Sequence, residues 1–310
     1  MAINTLATAT NFQKALDQVA VRGAVTGWME SNAGQVKYAG GAEVKIPKMN
    51  VQGLADYDRD NGYTRGAVKL EYETRTMTQD RGREFILDAM DVEETNFVAT
   101  ASAVMGEFQR DYVIPEIDAY RLSAIATEAI GAEVAGMVQY GYVPGATGTS
   151  ALRKVKEGIA AIRSLGYSGP LVVHATDTFI LELELELAGK ITTVDFKKGG
   201  IITKVPAVDQ VPIIPTPENR MYTAITIYDG QTEGQKDGGY VKGSTAKEIN
   251  FEIMPRTTPL AISKQDKVRI FDPDTYQGAN AWSLDYRRYH DIWVLDNKKD
   301  SIFLSIKDAE

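Results

Sequence analysis

The chain has 310 residues, 44% of them hydrophobic and 25% charged, with 42 Asp plus Glu against 34 Lys plus Arg and a formal net charge of −8. This is a globular composition of about two domains by length, and no apolar run approaches the roughly 20 residues of a membrane span. The lack of cysteine excludes disulfides and thiolate chemistry, and the acid excess argues against a nucleic-acid grip, which draws most of its affinity from cations on phosphate.

In chain order, Phe12, Leu16 and Val19 come first, at i, i+4 and i+7 on one stripe of a short amphipathic helix. A helix that short is marginal alone, so it either docks on something or frays. Next, 42–48 and 67–76 alternate apolar with polar residues, and Val68, Leu70 and Tyr72 share one face. Two half-buried strands are expected. The intervening MNVQGLADYDRDNGYTRG is rich in turn formers. The pair therefore reads as a long hairpin with a charged tip of few apolar anchors, carrying Asp56, Asp58, Arg59, Asp60 and Arg65. A two-stranded ribbon is marginal in water. It needs a surface, either its own domain or another molecule.

Phe97, Ala101, Val104, Met105 and Phe108 recur at helical spacing and predict a long helix. Asp91 and Glu94 mark its start, and Phe97, Val104 and Phe108 its core face, with Phe108 fully buried. Pro115 disfavours helical geometry at Ile114, so a stop or kink is expected there. A second helix then begins, with Glu116 and Asp118 in its first turn, and runs to Gly131.

The stretch 131–149 is glycine-rich and irregular. Leu152, Val155, Ile159, Ile162 and Leu165 make a helix capped by Thr149 or Ser150 and ended by Gly166. Leu171 to His174 reads as a buried strand. DTFILELELELAG (177–189) alternates like a strand but is built from helix formers, with Asp177 as a cap and Gly189 as a stop, which favours a helix. Val211 to Pro217 is a proline-bounded strand, 229–244 is a loop, and strands resume in INFEIM, KVRIF, AWSLDYRRYHDIWVL and SIFLSI.

Chemical motifs are sparse. His174 and His290 are the two histidines, and neither has a second one at metal-ligand spacing. No GxSxG, GxxxxGK[ST] or GxGxxG occurs. Asp56, Asp58 and Asp60 alternate like calcium-loop acids without the rest of that loop. Helix capping explains Asp88, Asp91, Glu93 and Glu94. The basic spots at 153–156, 197–198, 287–288 and 298–299 are short and interleaved with acids. Tyr286–Trp293 mixes aromatic and basic residues, which suits base stacking. A strand burying Tyr286, Arg288 and His290 is the plainer reading. No catalytic residue, cofactor or metal site is expected.

Four blocks in this order carry a resemblance: DYDRDNGY (Asp56–Tyr63), QDRGREFILDAMDVEET (79–95), EFQRDYVIPEIDAYRLSAIA (107–126) and YRRYHDIWVLDNKKDSIFLSIKDA (286–309). Together they resemble the major capsid protein family of tailed bacteriophages, over roughly Phe12 to Ala309 and least between Tyr222 and Thr245. The resemblance implies an α+β, Hong Kong 97-type capsid fold, shared with encapsulin shells and the herpesvirus capsid floor. It implies an N-terminal arm (1–35), an extended hairpin loop (36–80), a peripheral domain with a long spine helix (81–130 and 248–310) and an axial domain (131–247). The implied function is structural: a non-enzymatic, cofactor-free subunit forming pentamers and hexamers of an icosahedral shell. Such a shell encloses double-stranded DNA without sequence-specific binding. It is assembled with scaffolding protein and portal in the host bacterial cytoplasm, away from membranes, and becomes the virion head. Phe12, Leu16 and Val19 would meet neighbours, and so would the hairpin tip. Some members cross-link a loop lysine; the match singles out none of Lys45, Lys48 and Lys69. The alternatives are an encapsulin-like compartment shell and, from another class, a soluble carboxylate-dependent enzyme.

Overall fold

A computed structural model describes residues 23–35, 37–38, 43–89, 104–188, 191–198 and 201–310. Phe12, Leu16, Val19, Phe97 and the helix start at Asp91 and Glu94 lie outside the described residues.

The first described element is a run of 3-10 turns, Gly27–Gln35. Strands β1 (Lys37–Tyr38), β2 (Glu43–Val51) and β3 (Val68–Thr76) then form an antiparallel ribbon in the order β1-β2-β3. β4 (Gln79–Asp88) follows after two residues, yet among the described residues it pairs only with β14 (Ala281–Val294), which also carries β13 (Pro259–Phe271). A seven-stranded sheet makes up the rest. It runs β5 (Val138–Gln139), β15 (Phe303–Ile306), β12 (Ile249–Pro255), β6 (Leu171–Thr176), β9 (Val211–Thr216), β8 (Ile201–Val208) and β7 (Thr192–Lys198). A small hairpin pairs β10 (Ile225–Ile227) with β11 (Tyr240–Lys242). The helices are α1 (Ile114–Gly131), α2 (Ala151–Ser164) and α3 (Asp177–Leu187).

The large sheet is covered on both faces, which is why β6 and β12 are buried at every position. Val172, Met254 and Leu304 face α1 through Leu122, Ile125, Ala126 and Ala129. Val173, Ile253 and Phe303 face α2 and α3 through Val155, Ile162, Phe179 and Leu183. Gly158 lets α2 approach closely, since a Cβ there would sit 2.7–2.9 Å from Phe303 and Ile253. β12 and β15 thus belong to one sheet with β6 and β9, so the division drawn at 247/248 from sequence runs through a single layer. Tyr286, Arg288 and His290 are buried on alternate positions of β14, as the pattern indicated. For 177–188 the helix reading holds, with the Thr176 hydroxyl accepting from the Phe179 amide in place of an Asp177 cap.

The spine departs from expectation at Pro115. Residues 104–108 are α-helical, 109–113 make one π turn, and α1 follows without a stop. Val113 (φ −70°, ψ −49°) and Ile114 (φ −62°, ψ −49°) stay helical. A proline ring normally collides with the carbonyl four residues back, here that of Asp111. The wider π turn relieves that collision and leaves the missing N–H without consequence. Phe108 is half-buried, not fully buried as expected. Met105 fills the core of that end with Val268, Leu284 and Tyr286, while Phe108 sits edge-on to Phe85 (5.0 Å) and Tyr286 (5.8 Å). Val104 is partly buried beside them.

A buried ionic network fixes the spine. Asp118, fully buried on α1, accepts from the Val25 amide (3.0 Å), the Thr26 amide (2.9 Å), the Thr26 hydroxyl (2.6 Å) and Arg220 Nη1 (2.8 Å). One turn on, Arg121 Nη2 reaches Glu30 Oε1 (2.6 Å), which also accepts from Arg288 Nη2 (2.8 Å), and Arg288 pairs with Asp266. Burial opposes ionisation of Glu30, but Arg121 and Arg288 outweigh it and hold its carboxyl below the usual range.

Glu252 is the counter-example. It lies in β12 opposite His174 and Leu304, and neither carboxyl oxygen has a hydrogen-bond partner among the described residues. Burial pushes its carboxyl well above the ordinary value of 4.5. A carboxyl whose folded pKa is raised loses stability as pH climbs from its unfolded pKa towards its folded one. Glu252→Leu is therefore expected to gain about 1–3 kcal/mol at neutral pH. The gain should shrink below pH 4.5, where the acid is neutral in both states. Denaturant melts at acidic and neutral pH check this; an equal gain at both would contradict an ionisation cost.

Candidate assembly surfaces

Register sorts the ribbon into two unlike faces, because residues directly opposite in an antiparallel pair share a side. Pro47↔Tyr72, Met49↔Leu70 and Val51↔Val68 form one face, and Ile46↔Glu73, Lys48↔Glu71 and Asn50↔Lys69 the other. The polar face leans on the chain's own body. Arg75 pairs with Glu73 and reaches Asp296 (3.5 Å), Lys48 lies 3.9 Å from Asp296, and Val44 and Ile46 are buried with Met77, Leu260 and Ile262. The apolar face is open to solvent, with Met49, Val51, Val68 and Leu70 between 53% and 68% exposed. Period-two alternation identified this face, but the half-burial it implies is not supplied by the subunit. A contiguous apolar strip on a ribbon about 30 Å long is the kind of patch that marks an interface.

The tip closes through reciprocal Asp58 and Gly62 backbone bonds (3.1 and 2.7 Å), with Gly62 at φ +82°. Asp58 accepts from Asn61 Nδ2 (2.6 Å) and the Asp60 amide (2.8 Å), which hold its carboxyl below the usual range. Asp56, Asp58, Arg59, Asp60 and Arg65 are all exposed. Among the described residues, none of the five is in an ion pair. The sequence reading missed the apolar component: Leu54 is fully exposed, and Tyr57 and Tyr63 pack edge to face at 4.9 Å while remaining open to solvent. The signal was the pair of tyrosines bracketing the turn.

A second feature is a cavity of about 400 Å³ between β4, the π turn and the 228–239 loop. Phe85, Phe108 and Tyr112 form one wall, with Tyr112 stacked on Phe108 at 6.0 Å and half exposed. Arg81 grips Glu116 through two bonds (2.7 and 3.1 Å), and Arg83 donates twice to the Lys236 carbonyl (3.1 and 3.2 Å). His290 borders the cavity with Nδ1 unpartnered among the described residues, and burial together with Arg288, Arg121 and Arg81 holds it neutral.

These groups do not make a catalytic set. Glu116 is tied to Arg81, and Ser263, opposite His290 in the β13–β14 pair, donates to Glu30 (3.0 Å) and accepts from Arg288 (2.9 Å). His174 is structural: its Nε2 accepts from Trp28 Nε1–H (3.1 Å), and its Nδ1 lies 3.1 Å from the Thr216 hydroxyl. No metal-binding cluster of His, Asp and Glu occurs among the described residues.

No protein-family model matches the chain, and no curated protein does. Solved structures do. The asymmetric unit of the bacteriophage PhiM1 mature capsid aligns with 86% of this chain and 82% of that one, at 13% identity and a TM-score of 0.54. A structure from Mycobacterium phage Bobi aligns over 91% of both chains at 10% identity and 0.54. The capsid structure of cyanophage P-SCSP1u covers 87% of this chain and 84% of its own, at 10% identity and 0.51. At such identities the likeness is one of fold, and it spans nearly the whole chain.

Proposed function

We propose that this chain, whose α+β fold is that of phage capsid structures, is a major capsid protein that builds a closed shell from many copies of itself. The observation that carries the reading is the bare apolar face of the β2–β3 ribbon. A subunit that spends its polar ribbon face on its own body and leaves the apolar face in water is incomplete alone. A second copy is the economical cover, because closed symmetric assembly repeats one contact around the shell. In this reading α1 with β4, β13 and β14 forms the peripheral part, and α2 and α3 with the large sheet form the axial part. Phe12, Leu16 and Val19 meet neighbouring subunits, and scaffolding protein and portal take part in assembly. The shell encloses double-stranded DNA and is assembled in the bacterial cytoplasm.

Electron microscopy of the purified chain, alone and with its scaffolding partner, tests the reading. Closed particles tens of nanometres across are expected; a monodisperse monomer under every condition would contradict it.

The −8 net charge sets a second expectation. An inner wall without a basic stripe leaves packaged DNA free to move, so the shell protein should bind duplex DNA weakly at physiological salt. A titration from 50 to 200 mM salt checks this. A steep slope equivalent to six or more phosphate contacts would contradict it.

A further inference from the structure

Asn61 is the single asparagine followed by glycine in the chain, and it stands in the tip turn with its side chain exposed. That dipeptide carries its own chemistry. With no Cβ on the following residue to shield it, the backbone nitrogen can reach the side-chain carbonyl carbon and close a five-membered ring. Room for the ring exists here, since nothing lies within 4 Å of where a Gly62 Cβ would sit. Crowding therefore does not prevent the reaction.

What opposes it is Asp58, which holds both reacting groups. Its backbone carbonyl accepts the Gly62 N–H at 2.7 Å, and this is the proton the nitrogen has to lose before it attacks. Its carboxylate accepts from Asn61 Nδ2 at 2.6 Å, which fixes the carboxamide and leaves its carbonyl carbon less electrophilic. The Asn61 bond, joined by one from the Asp60 amide (2.8 Å), holds the Asp58 carboxyl below its usual range. Ionised, it has no proton to give to a departing nitrogen.

We propose that Asn61–Gly62 is a site of spontaneous deamidation whose rate is set by Asp58. The Gly62 nitrogen gives its proton to hydroxide and forms a bond to Asn61 Cγ. The Cγ–Nδ2 bond breaks, and Nδ2 leaves as ammonia with a proton taken from water. One water molecule then opens the succinimide. Attack at Cγ gives aspartate, and attack at the backbone carbonyl gives isoaspartate, with the main chain rerouted through the side chain. The sum is a carboxamide and water going to a carboxylic acid and ammonia, with nothing oxidised or reduced. Either product adds a negative charge beside Asp56, Asp58 and Asp60. Isoaspartate also lengthens the turn by one main-chain carbon. The reciprocal Asp58–Gly62 backbone bonds then lose their register, and with them the Tyr57–Tyr63 contact that the turn holds at 4.9 Å.

The test uses the unassembled chain, so its outcome is independent of shell formation. The folded chain and a free peptide of residues 56–65 are incubated side by side at mildly alkaline pH. Digests are read by mass spectrometry, with isoaspartate scored by enzymatic carboxyl methylation. The peptide is expected to deamidate at Asn61, and the folded chain about tenfold more slowly, because the attacking and attacked groups are held apart from a reactive geometry. Asp58→Ala should recover most of that difference and Asp58→Asn part of it, while exposed Asn219 and Asn297, which precede arginine and lysine, stay intact in all samples. Asp58 is exposed, so subunit melting should not move. A folded chain that reacts as fast as the peptide overturns the proposal, and so does an Asp58→Ala variant as slow as the parent. Acceleration accompanied by a fall in subunit melting assigns the effect to unfolding and overturns it too. A peptide that reacts while neither parent nor variant yields product removes Asn61 as a modification site.

Discussion

Asp118→Ala is expected to destabilise the unassembled subunit by about 3–5 kcal/mol, the cost of breaking a buried charge pair from one side. The carboxylate satisfies two backbone amides, the Thr26 hydroxyl and Arg220 at once. Its removal leaves those donors without an acceptor, next to the fully buried Arg121, which keeps its bond to Glu30. Stability of this size is a large share of what a domain usually has. The segment 24–35 would lose its main tie to α1, so hydrogen exchange there should accelerate with the shift in denaturant midpoint. Asp118→Asn keeps one acceptor and should cost less. A loss under about 1 kcal/mol for the alanine variant would show that the network contributes orientation and not stability.

Met49→Asp combined with Leu70→Asp is expected to act the other way round, sparing the subunit and abolishing particles. Both side chains are more than half exposed in the subunit and sit opposite each other on the bare ribbon face. The unassembled protein should therefore melt within about 1 kcal/mol of the parent, as exposed substitutions usually do. If a neighbour covers the face, each apolar side chain contributes about 1.5–3 kcal/mol per copy on burial. Replacing two of them with unpaired carboxylates should lower particle yield more than a hundredfold. Thermal melting of the subunit beside sedimentation of the assembly mixture separates the two effects. Reduced melting with normal particles would place this face against the subunit's own body.

How legible the molecule was depended on whether a residue's role was local. Alternation at 42–48 and 67–76 gave the ribbon because strand facing is decided by neighbours two positions away. Val155 and Ile162 gave the buried face of α2 for the same reason at helical period, although Leu165 at the helix's end proved exposed. The spine was read up to Pro115, where a proline rule predicts a break that a single π turn avoids. Asp118 looked like an ordinary acid of a helix's first turn. Its partners at 25, 26 and 220 are about a hundred residues away, so its hub role was invisible without the fold. Glu252 fell within INFEIM, an alternating strand that predicts a solvent-facing glutamate; the crossing of β12 through the middle of the sheet buries it instead. β4 and the β7–β8 hairpin went unassigned, the first overshadowed by the helical pattern that follows it. At the tip, the charges in DYDRDNGY drew the reading, while the tyrosines between them supply the apolar surface.

If another copy of this chain covers the exposed ribbon face, Met49 must oxidise more slowly once particles form. Peroxide converts an accessible methionine to its sulfoxide, so the rate reports access to the sulfur. Met49 is 66% exposed in the subunit, whereas Met77 at the ribbon base is 4% exposed and serves as the internal reference. Mass spectrometry of peptides from dissociated subunits and from assembled particles gives both rates in each state. Met49 is expected to oxidise at least ten times more slowly in particles, with Met77 slow in both. Equal Met49 rates in subunits and particles would mean that the apolar face stays in water after assembly, which would contradict cover by a second copy.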